Sequence, residues 1–398
     1  MGIKKLFTFL NNNALFKVYP YLNDLINELN IDKKKLLVGV DGNLFCHKYT
    51  HSYDNMLIGF FNQILKFLSN KIIPIYIFDG GTLQEKENTN IMRYQKKIIS
   101  KYKLEQVEHI LHLEENLCDK TNLLLLKKKL EKNSMKINNE NITLVLELFD
   151  LLNIPYIFSH GEGEYLAVLL NKYNIIDMFL SDDTDPIPAG INKIIKFYNN
   201  NVYYLETQLI YDKLLIDKKE FCDFCILLGS DYLTLNHGLK PNEILELIYK
   251  YKTIENIHEE KVIPCITNES FILIDKIRNI YYNSDLIEKN FMIGKNIDNN
   301  TNINLIIDHS NISFYSNIML EFWDDFINIL KKNNEYNNQD NNLNLSNTFK
   351  HNIYKYISNK KFNIKNILKF IKNNIKDLTE EEITNMIISF DFLNTFGI

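Results

Sequence analysis

KLLVGVD (residues 35–41), IIPIYIFD (72–79) and IIDMFLSDD (175–183) are three short apolar runs, and each stops at a carboxylate. Unbroken runs of Ile, Leu, Val and Phe, without polar alternation, predict strands covered on both faces, as in a parallel sheet. Between them, NMLIGFFNQILKFLSN (55–70) and TLVLELFDLL (143–152) carry apolar residues at helical spacing. Strands alternating with helices specify an α/β fold with a doubly wound, mostly parallel sheet. In such a sheet the functional crevice lies beyond the carboxyl ends of the strands. This chain places Asp41, Asp79, Asp182 and Asp183 there.

The remaining composition narrows the class. The 398 residues amount to two or three domains' worth of chain. A hydrophobic fraction of 45% and a charged fraction of 24% exclude disorder throughout. With only 13 Gly and 7 Pro, few turns punctuate the chain and long helices are expected. The net charge of −5 excludes a protein that coats nucleic acid by bulk charge, while leaving room for local basic patches. No apolar run approaches the ~18 residues of a membrane span, and MGIKKLFTFL lacks a signal-peptide core, so a soluble intracellular protein is expected. Leu6 stands where a myristoylation signal needs Ser or Thr. Of the five cysteines, Cys222 and Cys225 have metal-like spacing. They sit in an apolar helical stretch with no second pair at zinc-site distance, which predicts buried thiols.

Residues 85–135 are charged, helical in pattern and almost free of Gly and Pro, and so form a long helical insertion rather than a loop. The expected organisation is an amino-terminal region (1–100), the insertion (101–143), an internal region (144–257) ending in a helical unit at about 221–257, and a carboxyl-terminal helical region (258–398). The last contains a polar tract, KKNNEYNNQDNNLNLSN (331–347), read as a linker, and a capping box at Thr379 and Glu382.

Strand ends and helix starts together carry Asp41, Asp79, Glu162, Glu164, Asp183, Asp185 and Asp231. Singly, each reads equally well as a solvated acid or a helix cap. As a set in one crevice, seven carboxylates could not all stay ionised unless cations neutralised them. Hard divalent cations take such oxygen ligands. A pair of ions roughly 3.5–4 Å apart can hold a scissile phosphate and activate a water for in-line attack.

Six ordered segments extend this reading. They are MGIKKL at the start, VGVDGNLF with Asp41, IFDGGTLQEKENTNIMRYQKK with Asp79, LLNIPYIFSHGEGEYLAVLL with Glu162 and Glu164, FLSDDTDPIPAG with Asp183 and Asp185, and ILLGSDYLTLNHGLKPNEILELI with Asp231. In this order they resemble the flap endonuclease and XPG-type structure-specific 5′ nucleases, over roughly residues 1–255, with a fainter echo at ILKFIKNNIKDLTEEEITNMI. The resemblance implies a PIN-like nuclease core, a helical arch made by the insertion, and a helix-hairpin-helix unit that grips duplex DNA. It implies a divalent-metal-dependent 5′ flap endonuclease and exonuclease that acts as a monomer on branched or flapped DNA. The seven acids would bind two Mg²⁺ ions, with Mn²⁺ able to substitute. Lys86 and Arg93, seven residues apart and hence on one helix face, would contact the scissile phosphodiester, with Lys96 and Lys97 extending that face. Gly2, His47, Gly238 and Lys240 would complete the DNA contacts.

The chain also departs from the family pattern. His47 replaces a tyrosine that stacks on a base, and Lys240 replaces a hairpin glycine, so no special preference for potassium is expected. The end, FDFLNTFGI, lacks a sliding-clamp peptide. The spare, Asn-rich character leans towards nucleases of large DNA viruses such as poxviruses, which act in the host cytoplasm; a cellular enzyme would be nuclear. Two other readings stand beside the first: a catalytically silent nucleic-acid-binding scaffold, and an RNA-directed nuclease on the same fold. The choice among flap, gap and junction is not encoded in the fold.

Overall fold

The computed structural model describes residues 2–29, 36–52, 55–80, 87–113, 117–134, 137, 139–159, 161–282, 346–353 and 364–374. Lys86, most of the Asn-rich tract, the Thr379–Glu382 cap and the FDFLNTFGI tail lie outside these residues. The three expected strands are β2 (Leu36–Asp41), β3 (Ile72–Phe78) and β5 (Met178–Leu180). They are parallel, with β4 (Tyr156–Phe158) outside β3 and β6 (Lys193–Tyr198) outside β5. Two antiparallel strands, β7 (Asn201–Glu206) and β1 (Lys17–Tyr19), extend the sheet to the order β1-β7-β6-β5-β2-β3-β4. The chain therefore winds outward from β2 through β3 to β4, then returns to the other side of β2 for β5 and β6. The switch point lies between β2 and β5, the place where a doubly wound sheet opens its crevice.

Four of the strands go beyond the sequence expectation. The β6–β7 hairpin did carry a local signal: Asn199 and Asn200, at φ 48° and 63°, make a two-residue turn with both residues left-handed. Asn tolerates that conformation better than most residues, and such a turn matches the twist of paired strands.

All seven residues of β3 are buried, which requires cover on both faces. On one face Tyr76 stacks on Phe149 of α7 (Asn139–Leu151), with ring centroids 4.3 Å apart. Phe60 of α4 (Met56–Ser69) packs edge-on to both rings, and the Tyr76 hydroxyl lies 2.8 Å from the Gln63 side-chain oxygen. On the opposite face Ile77 meets Gly163, the first residue of α8 (Gly163–Lys172). The result is a three-layer α/β/α core.

The insertion is a pair of helices packed on each other, α5 (Glu87–Leu113) and α6 (Leu117–Ser134), tied by Lys127 to Glu108 at 2.8 Å. Helix α5 runs unbroken through residues 100 and 101. Lys132 of α6 donates to the His51 carbonyl at 2.5 Å, near the end of α3 (Gly42–Ser52), and so anchors the hairpin to the core. Helix α11 (Lys218–Leu228) starts on a capping box, Asp217 with Glu220, and buries Cys222 and Cys225 as thiols. It packs against α12 (Pro241–Tyr251) and α14 (Asn268–Tyr282). Arg278 of α14 bridges Asp223 and Glu255. Farther along, Phe349, Ile353, Ile367, Phe370 and Ile371 are buried, and Lys350 pairs with Asp177 at 2.5 Å. Among the described residues no helix is long and apolar enough to cross a membrane.

Phe149 is fully buried at the centre of this aromatic stack. Phe149→Ala is therefore expected to cost about 3–5 kcal/mol, the range for truncating a buried ring. Urea denaturation checks this, and a loss below about 1 kcal/mol would show that the stack repacks freely.

Candidate metal centre

Strand β2 ends at Asp41. Its Oδ1 accepts the Leu44 N–H at 2.9 Å, and its Oδ2 accepts the Ser181 hydroxyl at 2.9 Å. Ser181 follows β5, and its Oγ also accepts the Asp183 N–H at 3.0 Å. One hydroxyl thus joins the acids of the two strands that flank the switch point. Asp183 Oδ1 accepts the N–H groups of Thr184 at 2.6 Å and Asp185 at 3.3 Å, which makes a tight turn of this segment. Carboxylate oxygens of Glu164, Asp183 and Asp185 all lie within 4.8 Å of one another, and Asp185 is fully buried.

Asp79, just past β3, is fixed from two sides. Its Oδ1 accepts the Gly163 N–H at 2.7 Å, and its Oδ2 accepts the Asn43 amide at 2.8 Å. Asn43 in turn accepts the Asp79 N–H at 3.2 Å. Glu162, directly before α8, is buried with the Tyr232 hydroxyl 3.4 Å away, and Tyr232 lies 2.5 Å from the Tyr165 hydroxyl. Asp231 receives Arg93 of α5 at 2.5 Å, so the helical hairpin leans a guanidinium onto the last of the seven acids. Direct convergence covers Glu164, Asp183 and Asp185. Asp41 joins through Ser181, and Asp79 through the start of the helix that carries Glu164. Asn43, Ser181, Tyr165 and Tyr232 were not singled out from sequence. Their signal was position alone, since all four sit within two residues of one of the seven acids.

Gly2 has φ +82°, and a Cβ there would stand 1.9 Å from Asp183 Oδ1. Ile3 N–H donates to Thr184 Oγ1 at 2.9 Å. Residues 2 and 3 therefore lie against the aspartate turn, and only glycine fits at position 2.

Burial pushes the Asp41 carboxyl up to about 6, against the pull of its bonds from Leu44 and Ser181, and Asp183 and Asp182 add to the rise. An oxygen-only donor set of this density fits a hard divalent cation. His47 of α3 keeps a water-facing edge, yet surrounding protein and then Lys97, His51 and Arg93 lower it to about 4, leaving a neutral ring. Lys96 is exposed and Lys97 partly so. At the other predicted contact, Gly238 has φ +73° with open space around it, and Lys240 is exposed immediately before α12. The Glu243 carboxylate accepts the Lys240 N–H at 2.6 Å. His237 Nδ1 accepts the Leu239 N–H at 3.0 Å while its Nε2 faces the Leu227 carbonyl at 2.7 Å, an arrangement that fits the neutral ring with its proton on Nε2.

The XPG N-terminal domain matches residues 1–99 and the XPG I-region matches residues 153–231, and together these ranges contain all seven acids. Both matches support a flap endonuclease/XPG-type nuclease over these residues. Among its relatives, flap endonuclease 1 of Drosophila yakuba is 28% identical over 207 residues, covering 50% of this chain and 51% of that protein. Flap endonuclease 1 of Saccharolobus solfataricus is 26% identical over 274 residues, covering 65% and 75%. The chain spans about half the length of the insect relatives it matches. Two solved structures share the fold. The catalytic core of Rad2 in complex with DNA substrate has a TM-score of 0.55 at 17% identity, covering 97% of this chain and 99% of that one. Flap endonuclease-1 from Methanococcus jannaschii also has a TM-score of 0.55, at 16% identity, covering 97% and 98%. Nucleases of this family use divalent metals, and the buried cluster of Glu164, Asp183 and Asp185 suits that use.

With its folded value above the unfolded one, Asp41 favours the metal-free fold below about pH 4, and that contribution is lost as pH rises through about 6. Asp41→Asn is therefore expected to raise Tm in EDTA at about pH 8, with the gain shrinking towards about pH 4. Scanning calorimetry at the two pH values checks this; an unchanged or lower Tm at the higher pH would contradict it.

Proposed function

We propose that this chain is a divalent-metal-dependent, structure-specific nuclease that hydrolyses a phosphodiester at a 5′ flap or related branch in DNA, as a monomer, with two Mg²⁺ ions that Mn²⁺ can replace. The observation that carries the reading is the meeting of Glu164, Asp183 and Asp185 at the switch point, with Asp41 bound in through Ser181. The relatives named flap endonuclease, and the Rad2 core solved with a DNA substrate, support the substrate class. A silent scaffold would be expected to lose acids from the set, and this chain keeps all seven.

In this reading the seven acids hold the ions, which supply Lewis-acid polarisation of the phosphate and a water acidic enough to attack at neutral pH. The protein's own groups do the rest. Asn43 and the Gly163 N–H keep the Asp79 carboxylate aimed, and Ser181 keeps Asp41 and Asp183 in register. Arg93, paired with Asp231, would exchange that partner for the scissile phosphate and offset charge as it builds up. Lys86 is assigned the same role. The neutral His47 ring offers a stacking face, and Lys96 and Lys97 lie on the same helix as Arg93, where phosphates would pass. Gly238 and Lys240, ahead of α12, are assigned to the duplex backbone, and Gly2 to the substrate edge beside Asp183. The regions 1–100, 101–143, 144–257 and 258–398 then serve as amino-terminal nuclease segment, arch, internal nuclease segment with hairpin unit, and carboxyl-terminal support.

The test is to incubate purified protein with a 5′-flap duplex, a blunt duplex and a single strand, each in Mg²⁺ or EDTA. Flap cleavage in Mg²⁺ alone is expected. Asp183→Ala should lower it by orders of magnitude with flap binding largely intact, and full cleavage by that variant would sink the proposal. Arg93→Ala should slow the single-turnover rate by roughly 10²–10³, the scale for losing one charge-stabilising donor. Affinity should change little, because many other phosphate contacts remain. A normal single-turnover rate with weakened binding would reduce Arg93 to a steering charge.

A further inference from the structure

Lys196 of β6 reaches the Asp182–Asp183 turn, and none of the roles above uses it. Its Nζ donates to the Asp182 backbone carbonyl at 2.9 Å and sits 4.5 Å from the centre of the Phe7 ring. That ring is fixed in turn by Phe16, Tyr198 and Tyr203, with centroids 5.2, 5.5 and 5.4 Å away. A cation held against an aromatic wall keeps one position. Asp182, which is not one of the seven acids, is also held at its other end: its carboxylate receives Lys48 of α3 at 3.2 Å.

The peptide unit between residues 182 and 183 is rigid and planar, so its carbonyl and its N–H point in fixed opposite directions. Lys196 holds the carbonyl and Ser181 Oγ holds the Asp183 N–H at 3.0 Å. A peptide plane fixed at both ends sets the direction in which Asp183 leaves the backbone, and hence where its carboxylate meets Glu164 and Asp185.

We propose that Lys196, helped by Lys48, is a positioning residue that orients the 182–183 peptide so that Asp183 is placed to bind a divalent ion. The inference rests on the metal-site reading above. A plain counter-charge would act in the opposite direction: removing a nearby cation would then tighten binding of Mn²⁺, whereas removing a positioning group loosens it. The supporting groups behind metal ligands typically change affinity by about 10–100-fold when lost.

The experiment titrates full-length protein with Mn²⁺ alone, read by calorimetry or by the free-ion electron paramagnetic resonance signal, with Tm in EDTA recorded for each variant. Lys196→Met is expected to bind Mn²⁺ about 10–100-fold more weakly at an EDTA Tm close to the unsubstituted chain, and Lys196→Arg to recover most of the loss. Mn²⁺ affinity that is unchanged or tighter in Lys196→Met overturns the proposal. Should that variant not fold, Lys48→Met decides, since Lys48 is partly exposed. Weaker Mn²⁺ binding there supports the clamp, and unchanged binding overturns it. If the unsubstituted chain binds no Mn²⁺, both this inference and the metal-site reading fall; if it binds and the variants match it, the clamp alone falls.

Discussion

Mutual repulsion of buried carboxylates is the constraint on which the rest of this structure depends. Strands that stop at a common edge deliver acids to one small volume, and each acid brought there raises the cost of ionising the next. The fold meets this with donors that carry no net charge: the N–H groups of Leu44, Gly163, Thr184 and Asp185, the Ser181 hydroxyl and the Asn43 amide. Such donors hold oxygens in place without cancelling the negative field that draws a cation. Full positive charges stand at the margins, with Arg93 on Asp231 and Lys48 and Lys196 on Asp182. Neutral groups inside and cations outside is the arrangement expected where an exchangeable ion must be able to enter.

The sheet order follows from the same requirement. Turning back between β4 and β5 puts β5 beside β2, so Asp41 and Asp183, 142 positions apart in sequence, share one hydroxyl. The helical hairpin then reaches the site from outside the sheet, and Arg93 is its point of contact with the acids. Along the described part of that hairpin Val107 and Leu130 are buried, while Tyr94, Ile98 and Tyr102 face solvent. Its position thus depends on a few polar anchors, Arg93 and Lys132 among them, rather than on a core of its own.

Much of this was legible in the sequence, for identifiable reasons. Apolar runs ending in Asp announced β2, β3 and β5, because a strand covered on both faces has no polar alternation to obscure it. The ordered motifs name Glu164, Asp183 and Asp185, whose carboxylates meet in the structure. The strands β1 and β4 are three residues each and, unlike β5, do not run into an aspartate, and the β6–β7 hairpin was marked only by Asn199 and Asn200. The groups that orient the acids were hidden for a different reason. Serine, asparagine and lysine are common everywhere, and apart from the place of Ser181 next to two aspartates nothing local distinguishes Ser181 or Lys196 from a surface residue. Their partners lie on other strands and helices, so their roles arise only in three dimensions.

Asp177 has a bearing on how the chain matures. One of its oxygens accepts the Leu37 N–H at 2.8 Å, beside the start of β2, and the other takes Lys350. On the ribosome the seven acids have all been synthesised once residue 231 is added. The helical stretch at 346–353 arrives more than a hundred residues later. Until then Asp177 has its backbone partner but not its lysine, and the pocket that will receive Phe349 and Ile353 is open to water. Chain order therefore leaves the apolar flank that Phe349 and Ile353 cover to be closed last, and exposed apolar surface of that kind is what chaperones shelter.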